Sequence, residues 1–308
     1  MANYVFGIDV GGTSVKCGLF QTDGTLLEKW EIPTRTENGG SEILPDIAKS
    51  VKAKMGEKGI AADDVAGVGI DVPGPVNDKG ELSIAVNLNW GYKNIVKELS
   101  DELGGMAVKA ANDANAAALG EMWAGGGKGS KNLVMVTLGT GVGGGIVAGA
   151  HGAGGEVGHA CVDPEEEAVC NCGNHGCLEQ MTSATGIVRL AKKYLASHDT
   201  PSSLRERGES ISAKAVFDAL KEGDAAAEAI VQEFSAYLGR ALAVFACVVD
   251  PEVIVVGGGV SKAGQILIDG VAKYYREAAF IACKDTPIVL ASLGNDAGIY
   301  GAAKMLID

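Results

Sequence analysis

Residues 4–21 read YVFGIDVGGTSVKCGLFQ, and residues 132–150 read NLVMVTLGTGVGGGIVAGA. Each segment consists of an apolar, strand-like run, a glycine turn and a second strand-like run. Near the N-terminus a third run, Leu26–Thr34, follows the turn residues Thr22-Asp23-Gly24. Consecutive strands joined by short turns predict an antiparallel meander. The return of the pattern further along the chain predicts two related α/β halves.

The remaining segments alternate between helical and strand-like patterns. Apolar spacing predicts helices near residues 41–54, 95–103, 113–122, 224–249 and 295–306, and apolar runs predict strands at 65–72, 108–111 and 253–256. The glycine-rich stretch at 125–130 is typical of a flexible connector. We predict a small α/β lobe over residues 1–118, joined by the C-terminal helix at 295–308, and a large α/β lobe over residues 119–294.

The composition excludes several classes of protein. Of the 308 residues, 47% are hydrophobic and 21% are charged, and the net charge is −13. Such a chain can bury the cores of two lobes. The absence of a basic stripe argues against a nucleic-acid partner, and no run approaches the ~20 apolar residues of a membrane span. The start, MANYVFGIDV, lacks the features of a signal peptide. We therefore expect a cytoplasmic protein without nucleic-acid or membrane partners.

Two glycine turns are candidate phosphate-binding loops. In the first, Asp9 precedes Gly11, Gly12 and Thr13, whose backbone N–H groups and hydroxyl suit phosphate oxygens. Gly-Gly is also a good pair for an ordinary hairpin turn, and that reading stays open. The second turn contains Thr140 and Gly141.

The second turn also matches the pattern G-x-G-x-x-G at residues 139–144. A dinucleotide-binding fingerprint requires a helix after the glycines. Here the strand-like run Ile146-Val147-Ala148 follows, so we predict a β-hairpin whose tip wraps phosphate. Gly257 and Gly258 follow a buried strand and suit close approach of adenosine, although a plain strand-to-helix turn explains them equally well.

A cysteine-rich loop predicts a metal site. Cys170, Cys172 and Cys177 lie within eight residues in the pattern C-x-C-G-x-x-G-C, and His159 precedes them. Three thiolates and one imidazole match a closed, structural zinc site. His175 inside the loop competes with His159 for the fourth position, and Cys161 is a reserve ligand. The alternative is a set of buried, inert cysteines.

A closed zinc site leaves no open position for catalysis, so the chemistry must come from other residues. Asn112 and Asp113 lie at a strand-to-helix junction, where Asp113 is either a catalytic carboxylate or a plain helix N-cap. Glu156 and Glu179 flank the zinc loop. These polar groups suit the hydroxyls of a sugar ring.

Five motifs together resemble the ROK family of sugar kinases and repressors, and the glucokinases within it. The motifs are IDVGGTSVK, AANDANAAALGE, VTLGTGVGGGIV, GEVGH and CNCGNHGCLE, and the resemblance covers essentially the whole chain. It implies an actin-like ATPase (ribonuclease-H-like) α/β fold of two lobes with a central active-site cleft. Since the first strand begins at Tyr4, we do not expect the N-terminal DNA-binding domain of the ROK repressors, and at 308 residues we expect the chain to be too short for a fused epimerase.

The resemblance also implies roles for individual residues. Asp113 would be the catalytic base, and Asp9 would act near Mg²⁺ through water. His159 would use one ring nitrogen for zinc and the other for sugar. The implied sugar-binding residues are Gly74, Asn112, Asp113, Glu156, His159 and Glu179; the implied ATP-binding residues are Asp9, Gly11, Gly12, Thr13, Thr140, Gly141, Gly257 and Gly258; the implied zinc ligands are His159, Cys170, Cys172 and Cys177.

The expected reaction is ATP-dependent phosphorylation of D-glucose at its 6-hydroxyl. The segment Asn87-Leu88-Asn89-Trp90 looks like the glucokinase form of the sugar-side loop. N-acetylmannosamine, fructose and allose remain alternative substrates, and a non-catalytic sugar sensor is the rival function. The expected cofactors are ATP, Mg²⁺ and structural Zn²⁺. By resemblance, a homo-oligomer, either a dimer or a tetramer, is also expected.

Overall fold

The computed structural model describes residues 2–148 and 151–307. Two compact units divide the chain: unit 1 comprises Met1–Gly129 with Asn295–Asp308, and unit 2 comprises Ser130–Gly294. The boundary predicted between residues 118 and 119 falls inside the helix Asp113–Ala124, whereas the two units divide after Gly129. Residues 119–124 stay in unit 1 because they continue this helix, and residues 125–129 after it also belong to unit 1.

Unit 1 contains seven strands and five α-helices among its described residues. The strands are β1 (Tyr4–Val10), β2 (Ser14–Gln21), β3 (Leu26–Pro33), β4 (Val65–Val72), β5 (Glu81–Leu82), β6 (Lys93–Asn94) and β7 (Val108–Asn112). The helices are α1 (Glu37–Gly40), α2 (Ile43–Lys58), α3 (Ile95–Glu102), α4 (Asp113–Ala124) and the C-terminal α10 (Ala297–Lys304).

Unit 2 contains five strands and five α-helices among its described residues. The strands are β8 (Asn132–Leu138), β9 (Val142–Ala148), β10 (His151–Gly154), β11 (Val253–Gly257) and β12 (Ile288–Leu290). The helices are α5 (Leu178–Thr182), α6 (Ala184–Ser197), α7 (Ala213–Lys221), α8 (Ala225–Val249) and α9 (Gln265–Ala278). The strand predicted over 146–150 begins earlier, and its last two residues lie outside the described part of the chain.

The two main sheets have the same topology. Sheet 1 has the order β3-β2-β1-β4-β7, and sheet 2 has the order β10-β9-β8-β11-β12. In each sheet the first three strands of the unit form an antiparallel meander, and two later strands add in parallel to the first. The repeat in the sequence thus corresponds to a repeated sheet, and the predicted meanders are confirmed.

The C-terminal helix packs directly on sheet 1. A Cβ atom on Gly7 of β1 would lie 2.0 Å from the Ile299 carbonyl oxygen, and one on Gly69 of β4 would lie 1.8 Å from the Ala302 carbonyl oxygen. Only glycine permits this approach, since any side chain would push the helix away. The glycines therefore bring the start of α10 close to the ends of β1 and β4.

Helix α8 forms the centre of the unit 2 core. The side chain of Asp224 caps it by accepting hydrogen bonds from Ala226 N and Ala227 N. Its 25 residues satisfy the length and composition of a membrane span, contrary to the expectation that no such run exists, and 56% of the most apolar window is buried inside the protein. The helix packs against α6, α7 and α9.

Candidate active site and metal centre

The first glycine turn connects β1 and β2 and is open to solvent. The Gly11 N–H donates to the Ser14 carbonyl at 3.0 Å, and the Thr34 hydroxyl donates to the Gly11 carbonyl at 2.7 Å. These bonds hold the turn, while Gly12 and Thr13 are exposed. The arrangement presents backbone and a hydroxyl to a ligand, as a phosphate loop requires.

A lysine that the sequence analysis missed pairs with Asp9 at the end of β1. The Nζ atom of Lys16 lies 2.9 Å from Asp9 Oδ2. Strand register explains the pair, because Asp9 and Lys16 are directly opposite each other in the β1–β2 hairpin. Pairing the residues of the predicted hairpin outward from its Gly-Gly turn would have placed Lys16 opposite Asp9. The ion pair holds the Asp9 carboxylate in a fixed orientation.

The second glycine turn connects β8 and β9. The Gly139 N–H donates to the Gly141 carbonyl at 2.9 Å, and the Thr185 hydroxyl at the start of α6 donates to the Thr140 carbonyl at 2.9 Å. Thr140 itself is exposed at the tip. Strand β9 follows the turn, so the hairpin is confirmed and the dinucleotide fingerprint is excluded.

The junction of β7 and α4 carries the candidate base. Asn112 is the N-cap, and its Oδ1 accepts hydrogen bonds from the backbone N–H groups of Ala114 and Asn115. Asp113 is the first helical residue, so the alternative that it is the plain cap is wrong. Its carboxylate accepts a hydrogen bond from Ala114 N at 2.8 Å and keeps contact with solvent.

The environment of Asp113 suits a proton acceptor. Partial burial among surrounding protein atoms raises the pKa of its carboxyl, and the Asp9 carboxylate raises it further, while the Ala114 N–H lowers it. The net direction is upward. An aspartate with a raised pKa is a stronger base than an ordinary one.

Two candidate sugar-binding residues of unit 1 contact each other. The Nδ2 atom of Asn112 donates to the Gly74 carbonyl at 3.1 Å. Gly74 has φ +126° and lies so close to the Ile84 carbonyl that a Cβ atom would be 2.3 Å from its oxygen. The Asn112 side-chain oxygen is thus used in capping α4, and one hydrogen of its amide group is used in the bond to Gly74. The second amide hydrogen is the one that suits a sugar hydroxyl.

The predicted sugar-side loop at residues 87–90 is largely structural. Leu88 and Trp90 are buried in the unit 1 core, and the Trp90 indole donates to the Gly40 carbonyl. Asn89 has left-handed backbone angles, and its side chain donates to the Thr36 carbonyl. Asn87 is exposed beside Gly12. Of the four residues, Asn87 is the one placed to contact a ligand.

The four predicted metal ligands form a cluster in unit 2. Their ligand atoms all lie within 4.8 Å of one another. The Sγ atoms of Cys172 and Cys177 are 3.6 Å apart, and Cys170 Sγ lies 3.9 Å from His159 Nδ1. A tetrahedral zinc with Zn–S bonds of about 2.3 Å separates its ligand atoms by about 3.3–3.8 Å. The cluster therefore has the size of a zinc site.

The two reserve ligands lie outside this cluster. His175 is exposed and pairs its backbone with Val169, and Cys161 pairs its backbone with Cys177. Within the part of the chain that the structure describes, neither belongs to the group of potential metal ligands. Because Nδ1 of His159 faces the cysteines, its Nε2 is available for a second partner.

Glu179 links the metal cluster to the second glycine turn. Its Oε2 accepts the Val142 N–H at 3.0 Å, and Cys170 Sγ lies 3.7 Å from its Oε1. His159 and Glu179 thus both lie beside Cys170. Glu156 is exposed and precedes the short 3-10 helix Val157–His159 that carries the histidine.

The glycines after β11 have different surroundings. Gly258 has φ +84°, and a Cβ atom there would lie 2.6 Å from the backbone of Leu138. Gly259 has φ −61° and open space around it. Packing alone therefore explains why Gly258 is glycine, so its proposed contact with adenosine needs a separate test.

Alanine substitutions separate the two explanations. Gly258→Ala is expected to lower the free energy of unfolding by roughly 1–3 kcal/mol, because of strained backbone and the contact with Leu138. Gly259→Ala, the matched control, should change it by less than about 0.5 kcal/mol. Denaturant unfolding and KM for ATP would be measured for both. Equal stability of the two variants would contradict the packing explanation.

Two units with the same five-stranded sheet order and an exposed glycine turn in each define an actin-like ATPase fold of the sugar kinase class. The chain belongs to the ROK family, whose profile matches residues 5–308. It is 41% identical over 305 residues to a glucokinase of Halalkalibacterium halodurans, covering 96% of this chain and 92% of that one.

Two solved structures agree with this assignment. A ROK hexokinase of Thermus thermophilus has a TM-score of 0.79 at 30% identity, covering 98% of this chain and 97% of its own. A ROK family glucokinase of Streptomyces griseus, solved in complex with glucose and AMPPNP, has a TM-score of 0.71 at 30% identity, with 98% of each chain covered.

Proposed function

We propose that this protein is an ATP-dependent kinase that phosphorylates D-glucose at its 6-hydroxyl. The observation that carries the proposal is the Asp113 carboxylate, placed at the start of α4 with a raised pKa and open to solvent. The two exposed glycine turns support it, as do relatives that are glucokinases. A non-catalytic sugar sensor would need neither a base nor two phosphate loops.

In the proposed reaction Asp113 takes the proton of the sugar 6-hydroxyl. The hydroxyl oxygen forms a bond to the γ-phosphorus of ATP, and the bond from that phosphorus to the ADP oxygen breaks. Phosphoryl transfer depends mainly on positioning and charge neutralisation. Gly12, Thr13, Thr140 and Gly141 would hold phosphate oxygens, while Asn112, Glu156, His159 and Glu179 would hold sugar hydroxyls together with the Gly74 backbone.

The residues around the first glycine turn fit a hydrated magnesium ion. The half-buried Asp9 carboxylate lies at the end of β1 beside that turn and would accept hydrogen bonds from the water shell of the ion. Bound with ATP, magnesium would neutralise charge on the phosphates. Lys16, 2.9 Å from Asp9 Oδ2, contributes a second positive charge beside this site.

The cysteine cluster fits a structural zinc ion with His159, Cys170, Cys172 and Cys177 as its four ligands. Burial raises the pKa of the Cys177 thiol to about 12, so this sulfur stays protonated at neutral pH unless a metal binds it. Zinc binds thiolate and would displace that proton. The ion would fix the loop between Cys170 and Glu179 and thereby hold Glu179 towards a sugar.

Glucose should give the highest kcat/KM in a panel with mannose, fructose, allose, N-acetylglucosamine and N-acetylmannosamine. A misplaced hydroxyl leaves a buried polar group unpaired, which costs about 1–3 kcal/mol, or roughly five- to a hundredfold in kcat/KM. Glucose lacking its 6-hydroxyl should bind without reacting. A coupled ADP assay under one set of conditions is the measurement. A tenfold preference for fructose or an N-acetylated sugar would overturn the glucose assignment and leave the kinase assignment standing.

We also propose that the chain forms a homo-oligomer, either a dimer or a tetramer, and acts in the cytoplasm. Exposed apolar side chains in unit 2 support self-association: Val244 and Val248 on α8, and Phe280 and Ile281 just after α9. Light scattering coupled to size exclusion gives the mass. A monomer at micromolar concentration would contradict the proposal.

A further inference from the structure

Asp71, the penultimate residue of β4, is a buried carboxyl group to which the sequence analysis assigned no role. It is 0% exposed, and neither of its carboxyl oxygens has a hydrogen-bond partner. Buried polar groups are nearly always paired, and a buried, unpaired charge is very costly. The environment of Asp71 therefore requires an explanation.

The charged groups that act on Asp71 are mostly acidic. Asp9 is directly opposite it in the parallel pairing of β1 and β4. Burial raises the pKa of Asp71 well above its usual value, and the carboxylates of Asp9 and Asp113 raise it further; Lys16 lowers it by a smaller amount. The opposing residue on β7 is the neutral Ala111.

Helix α10 packs against Asp9 and Asp71 through Gly298, which carries no charge. A Cβ atom on Gly298 would lie 2.9 Å from Asp9 Cγ and 3.1 Å from Asp71 Oδ2. The absence of a side chain at Gly298 leaves room for the two carboxyl groups, of which Asp71 is fully buried and Asp9 is half-buried. Lys16, the cation of the group, is already bound to Asp9. Asp9 is thus the acceptor available to a protonated Asp71.

We propose that Asp71 is a positioning residue for phosphoryl transfer: it carries a proton at neutral pH and donates a hydrogen bond to the Asp9 carboxylate. Asp9 is then held from two sides, by the Asp71 hydroxyl and by the Lys16 ammonium group. The shared proton also avoids a second negative charge beside the turn at Gly11 and Gly12. This inference rests on the proposed kinase function for its kinetic consequences, but the protonation of Asp71 does not depend on it.

Two substitutions distinguish a neutral donor from an ionised carboxylate. Asp71→Val fills the space but removes the donor, and it is expected to lower kcat by roughly tenfold, the effect of losing a hydrogen bond to a charged group. KM for glucose should change by less than about twofold, because Asp71 is fully buried and cannot contact the sugar directly. Asp71→Asn keeps a neutral donor of the same shape and should restore kcat to within about threefold of wild type.

Infrared spectroscopy tests the proton directly. The full-length protein at pH 7.5 should show the C=O band of a protonated carboxyl group, and this band should be missing from Asp71→Asn. Asp63→Asn, the same change at an exposed position before β4, is the matched control and should retain both the band and wild-type kcat.

Each outcome decides the proposal. Absence of the band, full kcat in Asp71→Val, or an Asn variant as slow as the Val variant would overturn it. The band with the expected order of kcat values would support it. If wild-type protein phosphorylates no hexose, the proposed function fails, while the infrared result still decides whether Asp71 holds a proton.

Discussion

Asp113→Asn is expected to lower kcat by about 10²–10⁴-fold, the typical contribution of a general base. Asparagine fills the same space and can hydrogen-bond a sugar hydroxyl, but it cannot accept the proton. The helix should stay intact because Asn112, and not Asp113, provides the N-cap. KM for glucose should therefore change little while kcat falls.

The measurement for this variant is steady-state kinetics with glucose and ATP, together with thermal unfolding. Asp63→Asn serves as the control for loss of one carboxylate at the surface of unit 1. A decrease in kcat of less than about tenfold, with the fold intact, would show that Asp113 is not the base.

The pH profile of the wild-type enzyme gives an independent test of the same residue. A base is active only when deprotonated, so kcat/KM, which reports the pKa values of the free enzyme, falls as the pH drops through the pKa of the base. Because burial raises the pKa of Asp113, the acid limb should lie above the value of about 3.9 for an ordinary aspartate. An acid limb below that value would contradict the assignment.

Cys177→Ser should abolish stoichiometric zinc binding. Loss of a residue that only orients a metal ligand typically costs about 10–100-fold in metal affinity, so loss of a ligand should cost at least about 100-fold. The loop that carries Glu179 should then loosen and raise KM for glucose. Since Glu179 also accepts the Val142 N–H, a smaller increase in KM for ATP is expected.

Elemental analysis of tag-free protein gives the zinc content, and thermal unfolding with and without a chelator gives its effect on stability. Cys247→Ser is the matched control, because Cys247 is an exposed cysteine of α8 outside the cluster. Wild-type protein with less than about half an equivalent of zinc and full activity would contradict a structural zinc site.

Several features could be predicted from the sequence because their causes are local. The glycine turns and their flanking strands depend on backbone conformations that neighbouring residues determine, and the predicted hairpins are present. Three of the four metal ligands lie within eight residues, so their proximity follows from chain connectivity. Helix α8 was predicted from Asp224 to Val249 and spans Ala225–Val249, with Asp224 as its cap.

Other features were decided by tertiary structure, because they depend on segments distant in sequence. Spacing allowed either His159 or His175 as the fourth metal ligand, and only the folded loop brings His159 Nδ1 to Cys170. The C-terminal helix returns to unit 1 because Gly7 and Gly69 leave room for it.

The role of Asp71 is the clearest case of this kind. In the sequence it is an acidic residue before Val72 and Pro73, with nothing to indicate that it is buried. The parallel pairing of β1 and β4 places it opposite Asp9, and α10 covers both. Local sequence determines backbone conformation, but the polarity and charge around a side chain are set by whichever distant segments pack against it.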